Sequence, residues 1–297
     1  MTELICKQCP RRCGALRTAE KGEGYCKMPL LPKAARASLH MWEEPPISGT
    51  RGSGTVFFSG CVLGCVFCQN EQISHGGEGK VISVARLREA IDKLVENGAH
   101  NINLVNPTHY AHILPELLTK PTRLNVPVVY NSGGYENVHT LRNLQGLVDI
   151  YLPDIKYYSG ELSARYSKAE DYFERAIEAV QEMYRQVGRC EFDENGIMKK
   201  GVIVRHLVLP NAWRDSIKVF EKLKELFPNG EVEISVMSQY TPCGKLDNYP
   251  ELKRRLTSLE YDKVVKFLVE NDMTKGYMQD RRSASEEYIP PFDLTGI

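Results

Sequence analysis

The sequence has no surplus of charge: 38 lysines and arginines stand against 38 aspartates and glutamates, a formal net charge of zero. That removes the long-range attraction by which a basic chain finds nucleic acid or an anionic membrane, so neither is expected as a partner. A long apolar run is also missing. No segment approaches the roughly 20 consecutive apolar residues of a membrane span, and the opening Met-Thr-Glu-Leu-Ile-Cys has no charged stretch leading into an apolar one. With 42% hydrophobic and 26% charged residues, the balance is that of a globular enzyme, and a cytoplasmic location is expected. A chain of 297 residues can bury a sizeable core and has no need of disulfide staples.

Cysteine, by contrast, is abundant and unevenly placed. Of the nine, seven fall within the first 68 residues, leaving Cys190 and Cys243 isolated as ordinary free thiols. Clustered cysteines in a reducing compartment read as metal ligands.

Three zones are expected: a cysteine-rich metal-binding module over 1–45, a central α/β domain over 46–272, and a tail over 273–297 that packs back on the body through Tyr288-Ile-Pro-Pro-Phe292. The Pro45-Pro46 pair marks the first boundary. The central zone repeats a strand-then-helix unit, with strand-like runs at 55–59, 101–105, 127–131, 148–152, 202–209 and 231–237. Between them lie helical faces, such as Leu87, Ala90, Ile91, Leu94 and Val95 behind a Ser83 N-cap. Phe173, Ile177, Val180 and Tyr184 form another face, and Val219, Leu223 and Leu226 a third. Asn195-Gly196 suggests a hairpin before the fifth strand. Six successive units imply parallel strands with right-handed crossovers. A closed eight-unit barrel takes about 250 residues, so the expected fold is an open, partial (β/α)6 barrel.

The first strand leads into Gly60-Cys61-Val-Leu-Gly-Cys65-Val-Phe67-Cys68. Spacings of three and two residues let one loop wrap three thiolates around a 4Fe-4S cluster, and three ligands leave one iron open. The plainer alternative is a zinc loop completed by a fourth ligand such as Cys243. Asp154 and Lys156 stand two apart at a strand end and so share a face, although an ordinary ion pair would look the same. Asn131-Ser-Gly-Gly-Tyr-Glu136 is a candidate cofactor loop whose bland reading is a glycine turn.

A CxxxCxxC motif with an aromatic before the last cysteine, placed after the first strand of a βα series, resembles the radical S-adenosylmethionine (SAM) superfamily. That resemblance implies SAM chelated by the open iron of the cluster on Cys61, Cys65 and Cys68. Reductive cleavage to a 5′-deoxyadenosyl radical and hydrogen abstraction from a substrate would follow, with Phe67 near the adenine. More narrowly, the chain resembles the pyruvate formate-lyase activating enzymes and their activating-protein-like relatives, from Cys9-Pro-Arg-Arg-Cys13-Gly to the Tyr288-Ile-Pro-Pro-Phe292 tail. By that resemblance Asp154 and Lys156 serve a cation site and the SAM carboxylate end, Arg205 meets the carboxylate, and Gln239 with Tyr240 touches adenine or ribose. The partners implied are a glycyl radical enzyme as protein substrate and a reductant such as flavodoxin or ferredoxin. The alternatives are radical modification of a peptide or small molecule, and a non-catalytic electron-transfer protein.

One departure concerns the second strand, which in the activases leads into Gly-Gly-Glu. Here it leads into Asn106-Pro-Thr108-His109, so Asn106, Thr108 or Asn131 is expected to supply cofactor contacts, with His109 either in reach or structural. Separately, Cys6, Cys9, Cys13 and Cys26 provide four thiolates within a short span, suited to zinc or to an auxiliary cluster. Lys7, Arg11, Arg12, Arg17 and Lys21 around them read as a solvated basic face.

Overall fold

The computed structural model describes residues 3–279 and 289–297. Strands β1 (Glu3–Ile5) and β2 (Leu16–Thr18) form a small antiparallel pair. The main sheet holds β3 (Lys33–His40), β4 (Ser53–Phe58), β5 (Lys80–Val81), β6 (Ile102–Val105), β7 (Val128–Ser132), β8 (Ile150–Pro153), β9 (Glu191–Phe192), β10 (Met198–Leu207), β11 (Glu233–Met237) and β12 (Gly276–Met278). Its order is β12-β11-β10-β8-β7-β6-β4-β3-β5, with β9 beside β10 as the expected hairpin. Apart from the antiparallel β9–β10 hairpin, every pairing from β4 to β12 is parallel, whereas β3 and β5 run antiparallel at one edge. Among the described residues the two edges do not pair. The fold is therefore α/β, a mostly parallel open sheet of the partial-barrel kind.

Burial explains why these segments are strands. All six residues of β4 and all four of β8 are buried, as strands covered on both faces must be. The covering helices are amphipathic: Val84–Glu96 buries Leu87, Ala90, Ile91 and Leu94, and the Ser83 hydroxyl accepts from the Arg86 amide at 3.1 Å. Tyr172–Val187 buries Phe173, Ile177 and Val180, and Trp213–Leu226 buries Val219 and Leu223. No helix among the described residues is long and apolar enough to cross a membrane.

Three features differ from expectation. The sheet has a seventh parallel strand, β12, inside the stretch read as tail; three residues are too short to show a period. Second, the sheet continues across the boundary expected at 45, because β3 pairs with β4. Pro45 and Pro46 open a short helix, Pro45–Ser48, whose Ile47 is fully buried among Val129, Ile150, Leu152, Met198 and Ile203. Proline suits a first helical turn, so the pair starts a plug in the barrel floor rather than a linker. Third, the basic face is not uniformly solvated. Arg17 is 1% exposed and donates to the Met28 carbonyl at 3.0 Å and to the carbonyls of Pro29 and His109.

Residues 289–297 lie along β3. Leu294 donates to the Ala35 carbonyl at 3.0 Å, Arg36 meets Asp293 at 2.7 Å, and Phe292 packs edge-on against Phe57. Tyr288, the first residue of the expected extended run, lies outside the described residues.

Candidate active site

The loop after β4 carries the three cysteines. Gly60 sits at φ +80°, and a side chain there would meet Met28 and the Cys26 carbonyl, so the loop needs glycine to pass under the N-terminal segment. Each sulfur has a hydrogen bond. Cys61 Sγ accepts from the Leu63 amide at 3.3 Å, Cys65 Sγ from the Ser167 hydroxyl at 3.0 Å, and Cys68 Sγ lies 3.2 Å from Ser74 Oγ. Burial pushes the Cys61 and Cys68 thiols above the ordinary range; neighbouring cysteines add to this, and Lys156 opposes it. Three thiolates presented by one loop would need a countercharge, which the iron of a cluster would supply. Among the described residues no three His, Cys, Asp or Glu side chains gather tightly enough to share one metal ion. A cluster binds each thiolate at a separate iron, so the donor set fits it.

Cys61, Cys65 and Cys68 face a cavity of about 270 Å3 at the C-terminal ends of the parallel strands. The opposite wall is charged. Lys156 Nζ lies 2.6 Å from one oxygen of Asp154, and Arg205 Nε lies 2.9 Å from the other. Arg205 also donates to Asn131 Oδ1 at 2.6 Å and pairs with Glu43 at 3.2 Å. Glu43 accepts in turn from Asn103 at 3.0 Å and from Asn131 at 3.3 Å. Burial raises the Asp154 carboxyl, yet Arg205 and Lys156 together hold it below the usual carboxylate range. Burial raises the Glu43 carboxyl against the pull of Arg205.

Asn106 lines the same cavity at φ +60°, a left-handed position that asparagine tolerates; its amide donates to the Gly60 carbonyl, and its own backbone N–H to the Asn131 carbonyl at 2.7 Å. Phe67 is buried between Tyr157, Tyr166 and Tyr240, and Gln239 and Tyr240 close the cavity from the β11 side. The structure thus brings together the three cysteines, Phe67, Asn106, Asn131, Asp154, Lys156, Arg205 and Gln239.

Thr108 is not among them. It is fully buried and donates at 2.6 Å to Glu136, which also accepts from Tyr130 at 3.0 Å. The backbone leaves the cavity at Asn106, and the turn Thr108–Ile113 carries these side chains behind the sheet. His109 goes the same way, its Nε2 lying 2.8 Å from the Ser59 carbonyl, a structural position. Cys243 donates to the Phe67 carbonyl at 3.2 Å. Sequence reasoning overlooked Glu43, whose plug segment has no periodicity, and Ser167, a helix-end serine without a motif. Cys61, Leu63 and Ser74 also border a second cavity, of about 940 Å3, rimmed by Lys27, Lys168 and Lys245.

The N-terminal cysteines are neighbours. Burial, with Cys6 and Cys26 adding to it, pushes the Cys9 thiol up to about 12; Cys26 is raised by burial, with Cys6 and Cys13 close by. Cys13 is exposed.

Residues 55–192 match the family described as the Radical SAM superfamily. An uncharacterised protein of Methanocaldococcus jannaschii is 32% identical over 271 residues, which span 88% of this chain and 73% of that one. The chain belongs to the radical SAM superfamily. It is on that ground an enzyme, of a class that typically binds a 4Fe-4S cluster and SAM. Among solved structures, HydG, a maturase of the [FeFe]-hydrogenase, superposes with a TM-score of 0.51 at 16% identity, over 74% of this chain and 48% of that one. SuiB of Streptococcus suis, bound to S-adenosylmethionine, gives a TM-score of 0.48 at 12% identity, over 77% and 50%. The chain spans about half the length of these two solved chains.

Proposed function

We propose that Cys61, Cys65 and Cys68 hold a 4Fe-4S cluster, and that SAM lies in the adjoining cavity against Phe67, Asn106, Asn131, Asp154, Lys156, Arg205 and Gln239. The observation that carries this is the shared cavity: three crowded thiols on one wall and a fixed array of opposite charges on the other. When bound, the cluster supplies the electron that cleaves SAM and so generates the hydrogen abstractor. The protein's part is positioning. Asp154 and Glu43 fix the Arg205 fork, leaving Arg205 and Lys156 to meet a carboxylate, and Phe67 with Tyr240 offers aromatic surface to adenine. Asn106, tied to Gly60, stands where the activases carry Gly-Gly-Glu.

The substrate we propose is a glycyl radical enzyme, on the resemblance of Asp154-Ile-Lys156 and Arg205 to the activase pattern; a peptide or small molecule is the alternative. Flavodoxin or ferredoxin is the proposed reductant, and Cys6, Cys9, Cys13 and Cys26, which like the first three do not gather around a single ion, are the proposed ligands of a second cluster, with zinc the alternative. Anaerobic reconstitution, dithionite and SAM should yield 5′-deoxyadenosine; yields no higher than those of a Cys65→Ala control would sink the enzyme reading. A glycyl doublet in electron paramagnetic resonance of candidate partners tests the activase form. Four irons with one zinc per chain would mark zinc at the N-terminal site, and about eight irons a second cluster.

A further inference from the structure

The three sulfurs facing the main cavity differ in where their hydrogen bonds originate. The Leu63 amide that donates to Cys61 and the Ser74 hydroxyl that lies against Cys68 are within six residues of them. The donor to Cys65 is Ser167, 102 residues away, at the end of the helix Gly160–Ser167. Ser167 is fully buried, and its hydroxyl has a second partner, Tyr157 Oη at 2.7 Å, also fully buried. Once Cys65 ligates iron its sulfur carries no proton, so Ser167 must donate to sulfur and Tyr157 must donate to Ser167. The two hydroxyls then form a directed chain ending on the ligand.

The serine is held on its other side by the N-terminal segment. Arg11 donates to the Ser167 carbonyl at 3.0 Å, to the Lys168 carbonyl, and to the Val62 carbonyl at 2.8 Å, between Cys61 and Cys65. Ser167 and Lys168 end a helix whose last carbonyls lack intrahelical partners, and a guanidinium satisfies them and the negative end of the helix dipole together. Tyr25 and Tyr135 flank the guanidinium, their ring centroids 4.0 and 5.2 Å from it. One side chain therefore ties the cysteine loop to the helix that presents Ser167.

We propose that Ser167, backed by Tyr157 and held by Arg11, sets the reduction potential of the active-site cluster through its hydrogen bond to Cys65. The inference rests on the iron–sulfur reading above. Reduction adds one negative charge to the cluster, and an O–H pointed at a ligand sulfur stabilises that added charge, raising the potential. A donor that polarises the first strengthens the effect. Ser167 and Tyr157 are positioning and tuning residues here, and neither lines the cavity.

The test is potentiometric titration of the reconstituted full-length protein with dithionite, read by electron paramagnetic resonance of the reduced cluster. In Ser167→Ala the reduced-to-oxidised ratio at the wild-type midpoint should fall about tenfold, a negative shift of about 59 mV for one electron. Tyr157→Phe leaves the serine in place and should shift the midpoint in the same direction by less. If Ser167→Ala loses its cluster, Tyr157→Phe alone decides. Midpoints equal to wild type in every variant that holds its cluster would overturn the inference. Wild-type protein that takes up no iron would instead overturn the cluster reading beneath it.

Discussion

Arg205 shows most clearly how the site is held. It is surrounded by Asp154, Glu43 and Asn131 within 3.2 Å, in a largely dry setting. Replacing it by alanine leaves two buried carboxylates with Lys156 as their remaining cation. Breaking a buried pair from one side typically costs about 3–5 kcal/mol. Arg205→Ala should lose stability of that order in denaturant unfolding, and Arg205→Lys should recover part of it. A loss below about 1 kcal/mol would instead mark a hydrated, surface-like pair. Glu136 offers a second test. Burial raises its carboxyl to about 7, against hydrogen bonds from Thr108, Ser132 and Tyr130 that lower it. The folded value lies above the unfolded one, so the stabilising contribution is full below about 4.5 and lost as pH rises through 7. Wild type should lose about 3 kcal/mol between those pH values relative to Glu136→Gln. Parallel unfolding curves for the two proteins at pH 5 and pH 8 would refute it. Residues at strand ends, such as Asn131, Asp154, Lys156 and Arg205, were legible in the sequence because a strand's alternation fixes where they face. Thr108 was misplaced because a left-handed residue two positions earlier turns the chain, and nothing in Asn-Pro-Thr announces that turn. Glu43 was overlooked because its segment lies upstream of the repeat it serves.

At the level of elements, the loops are fitted to one another as closely as the strands. Gly134, at φ +78°, follows β7, and a side chain on it would lie 2.0 Å from the Asp154 carbonyl. Gly134→Ala therefore has to displace the peptide that carries Asp154 and Lys156. We expect soluble protein with a lowered melting temperature and at least tenfold weaker SAM binding by isothermal calorimetry. Wild-type affinity would mean that the two loops shift together without consequence. The six strands expected from hydrophobic runs all appear, with their ends moved by up to four residues. Burial on both faces makes such runs visible. β12 was not, since a three-residue edge strand needs only its partner β11 and carries no pattern of its own.

Over the whole molecule, the N-terminal cysteine segment and the barrel are joined through two arginines, Arg17 buried and Arg11 half-buried. Arg17 reaches the His109 carbonyl, and Arg11 reaches Val62, Ser167 and Lys168. Hydrogen bonds to charged groups contribute about 1.5–3 kcal/mol each. Arg11→Ala should destabilise the protein by about 2 kcal/mol or more and shorten cluster lifetime, measured as iron retained after gel filtration in air-free buffer. Retention and unfolding both equal to wild type would show that the two parts are held elsewhere. This joint was illegible beforehand, because charged residues among cysteines with no periodicity look solvated until the surface they meet is known.

The position of Cys61 has a consequence of its own. With Leu63 and Ser74 it lines both the charged cavity and the lysine-rimmed one, so the cysteine loop lies between the two. A cluster held by the loop would therefore have a rear side as well as a front, and a molecule approaching from the rear would meet the lysines before the cysteines.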